Sequence, residues 1–418
     1  MKRYIFIIPS ICNIGGAQLY LVNKMHYLKE KGWDVIVIYA RKDIILIKEL
    51  TQFEANCYPY LDYSIMYYRK SFVVQKVKEI CNKLEDSKYL ETVIESCTVS
   101  ISTWAELIAK ELKCKHIIFA FEELFDMSKS QLDFAYFKHI RHELAGIKPE
   151  TVPMMFKNSE YRISTPEYYR ACPIPSIGKV ADNWTEILKS YDVVIGSFGR
   201  LNKGFVWVAM KEIYKYMSLH KGPRYALLLV GDTKDERFKQ KIRNKFNNIA
   251  DVIITGEVCP ASLDMMKSVN VFVSSSGAAV ITSALGIPTI AVSPESFLPN
   301  GILDYTTDSS LFVKDPSFKS ISELIEDVID NEYCSTHPKM GIYDNYFENM
   351  HNNHWAEFDR QMTIAIDCTA PQEYYDVFKI SLEGKRKWAG IYCKIFGYDI
   401  FAKTIAFSSK HLGTLIKG

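Results

Sequence analysis

The stretch VFVSSSGAAVITSALGIPTIAV, residues 271–292, reads as a buried strand, a turn of small residues, a short helix and a second buried strand. Its apolar start gives way to Ser274, Ser275, Ser276 and Gly277. Side chains this small let a ligand approach the backbone and expose the N–H groups that open a helix, which is the geometry of a phosphate site. Residues 278–285 can make two helical turns, Gly286 suits a helix C-terminus, and Pro288 leads into the β-rich run 290–292. Ligands of open parallel sheets sit at the carboxyl ends of strands, and this turn lies at such an end. The competing reading is an ordinary strand-turn-helix whose small residues serve packing.

Upstream of this stretch the same grammar repeats. Residues 192–195 form a strand that runs into Ser197-Phe198-Gly199-Arg200-Leu201-Asn202-Lys203-Gly204. The following helix sets Val206, Met210, Ile213, Tyr214 and Met217 on one stripe. Two cations in a glycine-flanked turn at a strand end suit a diphosphate: Arg200 can bind it bidentately and Lys203 adds a point charge. A solvated basic turn is the alternative. Next come a strand over 225–230 ending in Gly231-Asp232, a charged helix over 234–247, a strand over 252–255 ending in Gly256-Glu257-Val258, and a helix over 262–267. Unbroken βα units from 192 to 292 predict a doubly wound parallel sheet.

The N-terminal half opens in the same way. A strand over 4–8 precedes Asn13-Ile14-Gly15-Gly16-Ala17-Gln18, a helix follows with Leu21, Val22, Met25 and Leu28 at helical spacing, and a strand over 35–39 closes the unit. Paired glycines there let amides meet an anion, although a ligand-free tight turn is the more common explanation of such a pair. A polar, tyrosine-rich connection leads to a strand over 92–94. Thr103-x-x-Glu106 then reads as a capping box that starts a helix, and a strand spans 116–121. Glu95, Ser96, Glu122 and Glu123 lie just past strand ends, where an acceptor hydroxyl could meet a general base; solvated loop carboxylates are the alternative. His116 and His142 read as core or surface residues rather than catalytic ones. Residues 171–187, with Pro173, Pro175 and Gly178, read as the crossing between halves, with the boundary near 185.

Composition bounds the function. At 418 residues, 48% hydrophobic and 24% charged, the chain suits two ordinary globular α/β domains. A net charge of +2 argues against a dedicated nucleic-acid binder. Ten cysteines scattered without a C-x-x-C pair suit reduced thiols in a reducing, cytoplasmic compartment, and indicate neither a zinc site nor a disulfide framework. The apolar run 5–8 is too short for a signal-peptide core and reads as the first strand.

Gly15-Gly16-Ala17-Gln18, Gly199-Arg200-Leu201-Asn202-Lys203-Gly204, Leu227-Leu228-Leu229-Val230-Gly231-Asp232, and Val271-Phe272-Val273-Ser274 leading to Leu285-Gly286-Ile287-Pro288 together resemble glycosyltransferases of the GT-B fold, particularly family 4. The resemblance covers roughly residues 1–360, with Trp355 in a terminal helix. It implies two Rossmann-like domains facing a cleft, here 1–185 for the acceptor and 186–345 for a nucleotide-sugar donor, with C-terminal helices over 346–418. It implies that Arg200 and Lys203 bind the donor diphosphate and that Gly15 and Gly16 approach the donor from the other domain. Gly231, Glu257 and Val258 would lie by the nucleotide, and Ser275, Ser276, Gly277 and Thr282 would hold sugar, phosphate and ribose. That family usually carries two glutamates separated by seven residues around the last helix. This chain has no acidic residue between Asp264 and Glu295.

The tail adds a segment the resemblance does not require. From Asp376 onward eight Lys or Arg stand against three acids, a net +5, interleaved with Trp388, Tyr392, Phe396, Tyr398, Phe401 and Phe407. Such a segment suits an anionic membrane surface, or a terminal helical pair packed on the protein and solvated by its lysines.

The function expected is transfer of a sugar from a nucleoside diphosphate donor to a hydroxyl of a glycan or lipid-linked glycan, in bacterial surface polysaccharide (capsule) synthesis. Arg200, Lys203 and helix-end amides would neutralise the leaving diphosphate without metal or cofactor, and Glu122 or a neighbour would assist the acceptor. By analogy the reaction retains configuration. The rivals are a non-catalytic glycosyltransferase-like binding protein and a nucleotide-sugar epimerase of related architecture.

Overall fold

The computed structural model describes residues 1–12, 14–84, 89–121, 126–163, 167–168, 177–311, 318–366 and 373–411. The chain packs into two units. One comprises 1–13, 17–172 and 353–418, and the other 14–16 and 173–352.

The first unit is built on a six-stranded sheet in the order β2-β1-β3-β4-β5-β6, with every pairing parallel. Its strands are β1 (Lys2–Ile8), β2 (Trp33–Tyr39), β3 (Glu91–Ser96), β4 (Lys115–Ala120), β5 (Leu144–Gly146) and β6 (Glu167–Tyr168). β1 is buried from Arg3 onward, so both of its faces are covered, as a parallel sheet requires. The helices are α1 (Gly16–Glu30), α2 (Lys70–Leu84), α3 (Val99–Leu112), α4 (Lys129–Ile140) and the short α5 (Thr151–Met155). Because the chain passes from β1 to β2 on one side and returns to β3 on the other, its direction of winding reverses at β1.

Two expectations need correction here. α2, fifteen residues long, lies in the segment read as a polar connection; Val73, Val77, Ile80 and Leu84 form its buried stripe. α3 starts at Val99 with Thr98 as N-cap, a full turn before the expected capping box. Thr103 is inside the helix with its hydroxyl on the Ser100 carbonyl (2.8 Å), and Glu106 turns into the core. The capping box belongs instead to α4, where Ser128 and Gln131 cap reciprocally.

In the second unit a small parallel pair, β7 (Ile177–Gly178) with β11 (Ala261–Ser262), accompanies a six-stranded sheet. That sheet has the order β10-β9-β8-β12-β13-β14, from β8 (Val193–Phe198), β9 (Tyr225–Val230), β10 (Ala250–Ile254), β12 (Val271–Ser274), β13 (Thr289–Val292) and β14 (Pro299–Ile302). β14 alone is antiparallel. The helices are α6 (Trp184–Leu188), α7 (Gly204–Leu219), α8 (Glu236–Phe246), α9 (Leu263–Lys267), α10 (Ser276–Ala284), α11 (Ile321–Ile329) and α12 (Tyr333–Thr336). Winding reverses at β8, between β9 and β12, so the doubly wound α/β reading holds for each sheet.

The last helices are α13 (Tyr346–Ile366), α14 (Gly384–Phe396) and α15 (Tyr398–His411). Of the segment read as C-terminal helices, 346–418, residues 353–418 belong to the first unit. Val377, Ile380, Cys393 and Phe401 are buried in its core with Leu61, Ile65 and Met66, and the Trp355 ring lies 5.3 Å from that of Tyr27.

Candidate nucleotide site in the second unit

At the carboxyl ends of β8 and β9 the backbones nearly touch. Gly199 has φ +120° and Gly231 φ +148°, and a Cβ on Gly231 would lie 2.0 Å from the Gly199 carbonyl oxygen. No residue but glycine fits there. The Gly199 N–H donates to the Val230 carbonyl (2.9 Å) and the Leu201 N–H to that of Asp232 (3.0 Å), which stitches the turn to the next strand end. Leu201 is buried, so Arg200, between these anchors, is forced outward. Its guanidinium makes no hydrogen bond or ion pair among the described residues.

Lys203 occupies the N-cap position of α7, a place that ordinarily favours an oxygen-bearing side chain. The N–H groups that open a helix at such a position favour an arriving anion. The start of α7 is itself pinned, because a Cβ on Gly204 would meet the Phe297 ring at 2.5 Å.

The turn after β12 approaches the same place. Ala278, in the first turn of α10, has its Cβ 3.7 Å from where a Gly199 Cβ would stand. The expected phosphate turn and the expected basic turn therefore converge. Their side chains behave otherwise than expected. Ser274 accepts from the Phe198 N–H (3.0 Å) and donates to its carbonyl (3.3 Å), tying β12 to β8. Ser275 and Ser276 are buried, and Ser276 holds a left-handed φ of +58° while its N–H donates to the Ser310 carbonyl (2.7 Å). Gly277 is the exposed residue of the turn. Thr282, read as a ribose contact, is wholly buried; its hydroxyl bonds the Ala278 and Ala279 carbonyls (both 3.1 Å) and receives the Thr289 hydroxyl (2.9 Å). It holds α10 onto β13.

Gly231 also donates to the Thr255 hydroxyl (3.2 Å), and Asp232 pairs with Lys239 at 2.6 Å. Beyond β10, Glu257 is exposed, whereas Val258 lines a cavity of about 560 Å³ with Val180, Trp184, Ile187 and Met265. At its rim, burial raises the Asp182 pKa, but hydrogen bonds from Ser262 and Thr185 outweigh this and hold it below the usual range. Sequence reading found Val258 and missed this wall, because residues 180–187 carry no motif and meet Val258 only in the fold.

The candidates of the N-terminal half fare differently. Gly15 and Gly16 stand where β1 gives way to α1, with Gly16 exposed and open space where a Cβ would be. Glu122 and Glu123 lie outside the described residues. Glu95, placed as a base candidate, is buried with Lys24 Nζ at 2.6 Å and the Tyr4 and Tyr20 hydroxyls at 2.5 and 3.1 Å. The Lys24 ammonium also sits 4.4 Å from the Phe119 ring centre. A carboxylate so enclosed is structural. The exposed His142 lies 3.1 Å from Glu167.

Ser96, His116 and Glu106 have the connectivity of a hydrolytic triad: Ser96 Oγ to His116 Nε2 at 2.8 Å, and His116 Nδ1 to Glu106 Oε2 at 2.6 Å. All three are completely buried, so no substrate reaches the serine. Lys138 bridges Glu106 (2.6 Å) and Glu143 (2.9 Å) and donates to the His116 carbonyl (3.0 Å). This is a satisfied polar core joining β3, β4, α3 and α4.

No family model matches the sequence, and no curated protein is significantly similar to it. Solved structures are similar in fold. A glycosyltransferase from Rickettsia africae superposes with a TM-score of 0.60 at 13% identity, over 89% of this chain and 99% of that one. The Anabaena protein Alr3699/HepE, in complex with UDP-glucose, gives 0.57 at 13% identity, over 88% and 100%. The lipopolysaccharide outer core galactosyltransferase WaaB gives 0.52 at 15% identity, over 87% and 99%. With two Rossmann-like sheets matched over nearly the whole of each neighbour, the chain has the fold of the GT-B glycosyltransferases.

Proposed function

We propose that this protein is a glycosyltransferase that moves a sugar from a nucleoside diphosphate donor to a hydroxyl of a glycan or lipid-linked glycan, in bacterial surface polysaccharide synthesis. The observation that carries the reading is the convergence at Gly199. An arginine with no partner among the described residues, a lysine on the α7 N-cap and the start of α10 meet at the carboxyl ends of β8 and β12. Developing charge on a departing diphosphate is what such a set stabilises, and it does so without a metal ion. The nucleobase then falls toward Val258 and the cavity beside Trp184. The UDP-glucose held by the Anabaena structure supports a sugar nucleotide as the ligand class.

The mechanism at the sugar is carried by fewer charges than in family 4. α10 is uncharged throughout, and its exposed residue in the turn is Gly277. Donor sugar hydroxyls would be met by backbone amides of the 275–277 turn rather than by carboxylates. Retention of configuration stays an expectation by analogy.

Because α10 has no acid, a second reading stands beside the first: a protein that binds a sugar nucleotide and does not transfer it. Calorimetry and thermal shift with UDP, GDP, CDP and their sugars test the site. Stabilisation by one nucleotide, lost in Arg200→Ala, supports it. Release of nucleoside diphosphate above background, again lost in Arg200→Ala, selects the enzyme, and its dependence on an acceptor separates transfer from epimerisation. No stabilisation by any of them at millimolar concentration overturns the site.

A further inference from the structure

The inward side of α14 and α15 is fixed by the first unit. Cys393 and Phe401 are buried, Arg69 Nε donates to the Lys394 carbonyl at 2.6 Å, and Arg386 pairs with Asp126 at 2.6 Å. The Phe401 ring lies 5.0 Å from that of Tyr63 and 5.7 Å from that of Tyr67. A Cβ on Gly390 would meet Leu382 at 2.5 Å, so this helix is closely seated. The outward side follows from the helical period: at 100° per residue, the ridge opposite Gly390 and Cys393 is Trp388, Ile391 and Ile395. These are 74%, 39% and 60% exposed, and Phe396 and Ile400, at 51% and 49%, carry the apolar surface across the turn into α15.

A helix packed on its own domain ordinarily turns charge to water. α14 does the reverse, with its exposed lysines along the edges: Lys385 on one side of the ridge, Lys387 and Lys394 on the other, and Lys403 further on in α15. The Tyr63 ring faces Tyr398 and Phe401, and its neighbour Asp62 pairs with Arg41 at 2.6 Å, which joins the start of α15 to the 41–63 segment.

We propose that this ridge is a docking face for an anionic lipid bilayer. Trp388, Ile391 and Ile395 enter the boundary between headgroups and acyl chains, and the flanking lysines contact lipid phosphates. Charge chooses this occupant. Two such ridges paired symmetrically would set lysine edge against lysine edge, whereas an acidic lipid surface complements Lys385, Lys387, Lys394 and Lys403, which outnumber the exposed acids Glu383 and Asp399. No helix of the described residues is long and apolar enough to cross a membrane, so the contact is peripheral. The inference deepens the proposed function by holding the chain where lipid-linked acceptors lie, and rests on it for that purpose only.

The test is flotation of the full chain with vesicles of phosphatidylcholine and phosphatidylglycerol against phosphatidylcholine alone, without sugar nucleotide, so that its failure and failure of the nucleotide site are seen separately. Wild type should bind the mixed vesicles, weaken as salt rises, and lose about tenfold or more in partitioning in the triple variant Trp388→Ser, Ile391→Ser, Ile395→Ser. A second variant, Lys387→Glu with Lys394→Glu, should weaken binding to mixed vesicles alone. Circular dichroism and melting temperature confirm that both variants fold. Absence of binding at low salt, or a serine variant that floats as wild type does, overturns the proposal. So does a concentration-dependent dimer, abolished by the serine variant, in a chain that ignores vesicles.

Discussion

The Gly231 α-carbon faces the Gly199 carbonyl so closely that a methyl group would stand 2.0 Å from the oxygen. Two strand ends are thus held together by the absence of side chains. Gly231→Ala must either shift the β8 turn or unseat β9, and its φ of +148° is itself hostile to alanine. We expect a loss of roughly 2–4 kcal/mol in chemical denaturation. Because the turn that carries Arg200 moves with it, nucleotide affinity should fall too. A variant as stable as wild type would mean that the two backbones are not in contact.

Arg200→Ala should separate binding from folding. The exposed guanidinium makes no internal contact among the described residues, so stability should stay within about 0.5 kcal/mol. Loss of a charge-assisted, bidentate contact to a diphosphate should weaken nucleotide binding by about tenfold or more. Arg200→Lys should recover only part of it, because an ammonium cannot bridge two oxygens. Calorimetry on the three proteins reads this directly, and equal affinities would remove Arg200 from the site.

What was legible in the sequence was whatever local pattern decides. Buried parallel strands such as Tyr225–Val230 are apolar along their whole length, and small-residue turns sit at their ends. Reading each βα unit was therefore enough to give the doubly wound order. The side-chain chemistry of the same turns was not legible. Ser274 and Thr282 look like ligand residues in a string of letters, yet their hydroxyls are engaged by Phe198 and by Thr289, residues far away in sequence or in another strand. Glu95 failed for the same reason. A carboxylate at a strand end is a base only if nothing internal claims it, and Lys24 reaches Glu95 from α1, 71 residues away in sequence. α2 was overlooked although its stripe was visible, because the tyrosines before it suggested an irregular connection.

The buried Glu106–His116 pair makes the first unit acid-sensitive. Burial raises the Glu106 pKa, but Lys138 and His116 outweigh it and hold the group down to about 2, below the ordinary carboxylate value near 4.3. Burial and the Lys138 charge push the His116 pKa down, so the ring stays neutral in the fold. Both groups bind protons more readily unfolded than folded. Their contribution is therefore complete above about pH 6.5, where an unfolded histidine is already neutral, and is lost progressively below it, first through His116 and then below about pH 4.3 through Glu106. Melting temperature followed from pH 7.5 to 4.5 should fall in wild type. His116→Gln should flatten the upper part of that fall, and an unchanged slope would count against the buried neutral ring.

Glu95 supplies the sharpest distinction between a structural and a catalytic carboxylate. Lys24→Met leaves Glu95 buried beside two tyrosine hydroxyls with no cation, and Glu95→Gln leaves the Lys24 ammonium among aromatic rings with no anion. Each single change should cost about 3–5 kcal/mol in denaturant titration, because an uncompensated charge remains inside. Replacing both partners removes both charges, and the double variant should regain a large part of that loss. A general base would behave differently: Glu95→Gln would abolish transfer in a protein of normal stability, and Lys24→Met would not repair it. Equal stability of Glu95→Gln and wild type, with activity lost, would return Glu95 to the acceptor side of the reaction and make the Lys24 contact incidental.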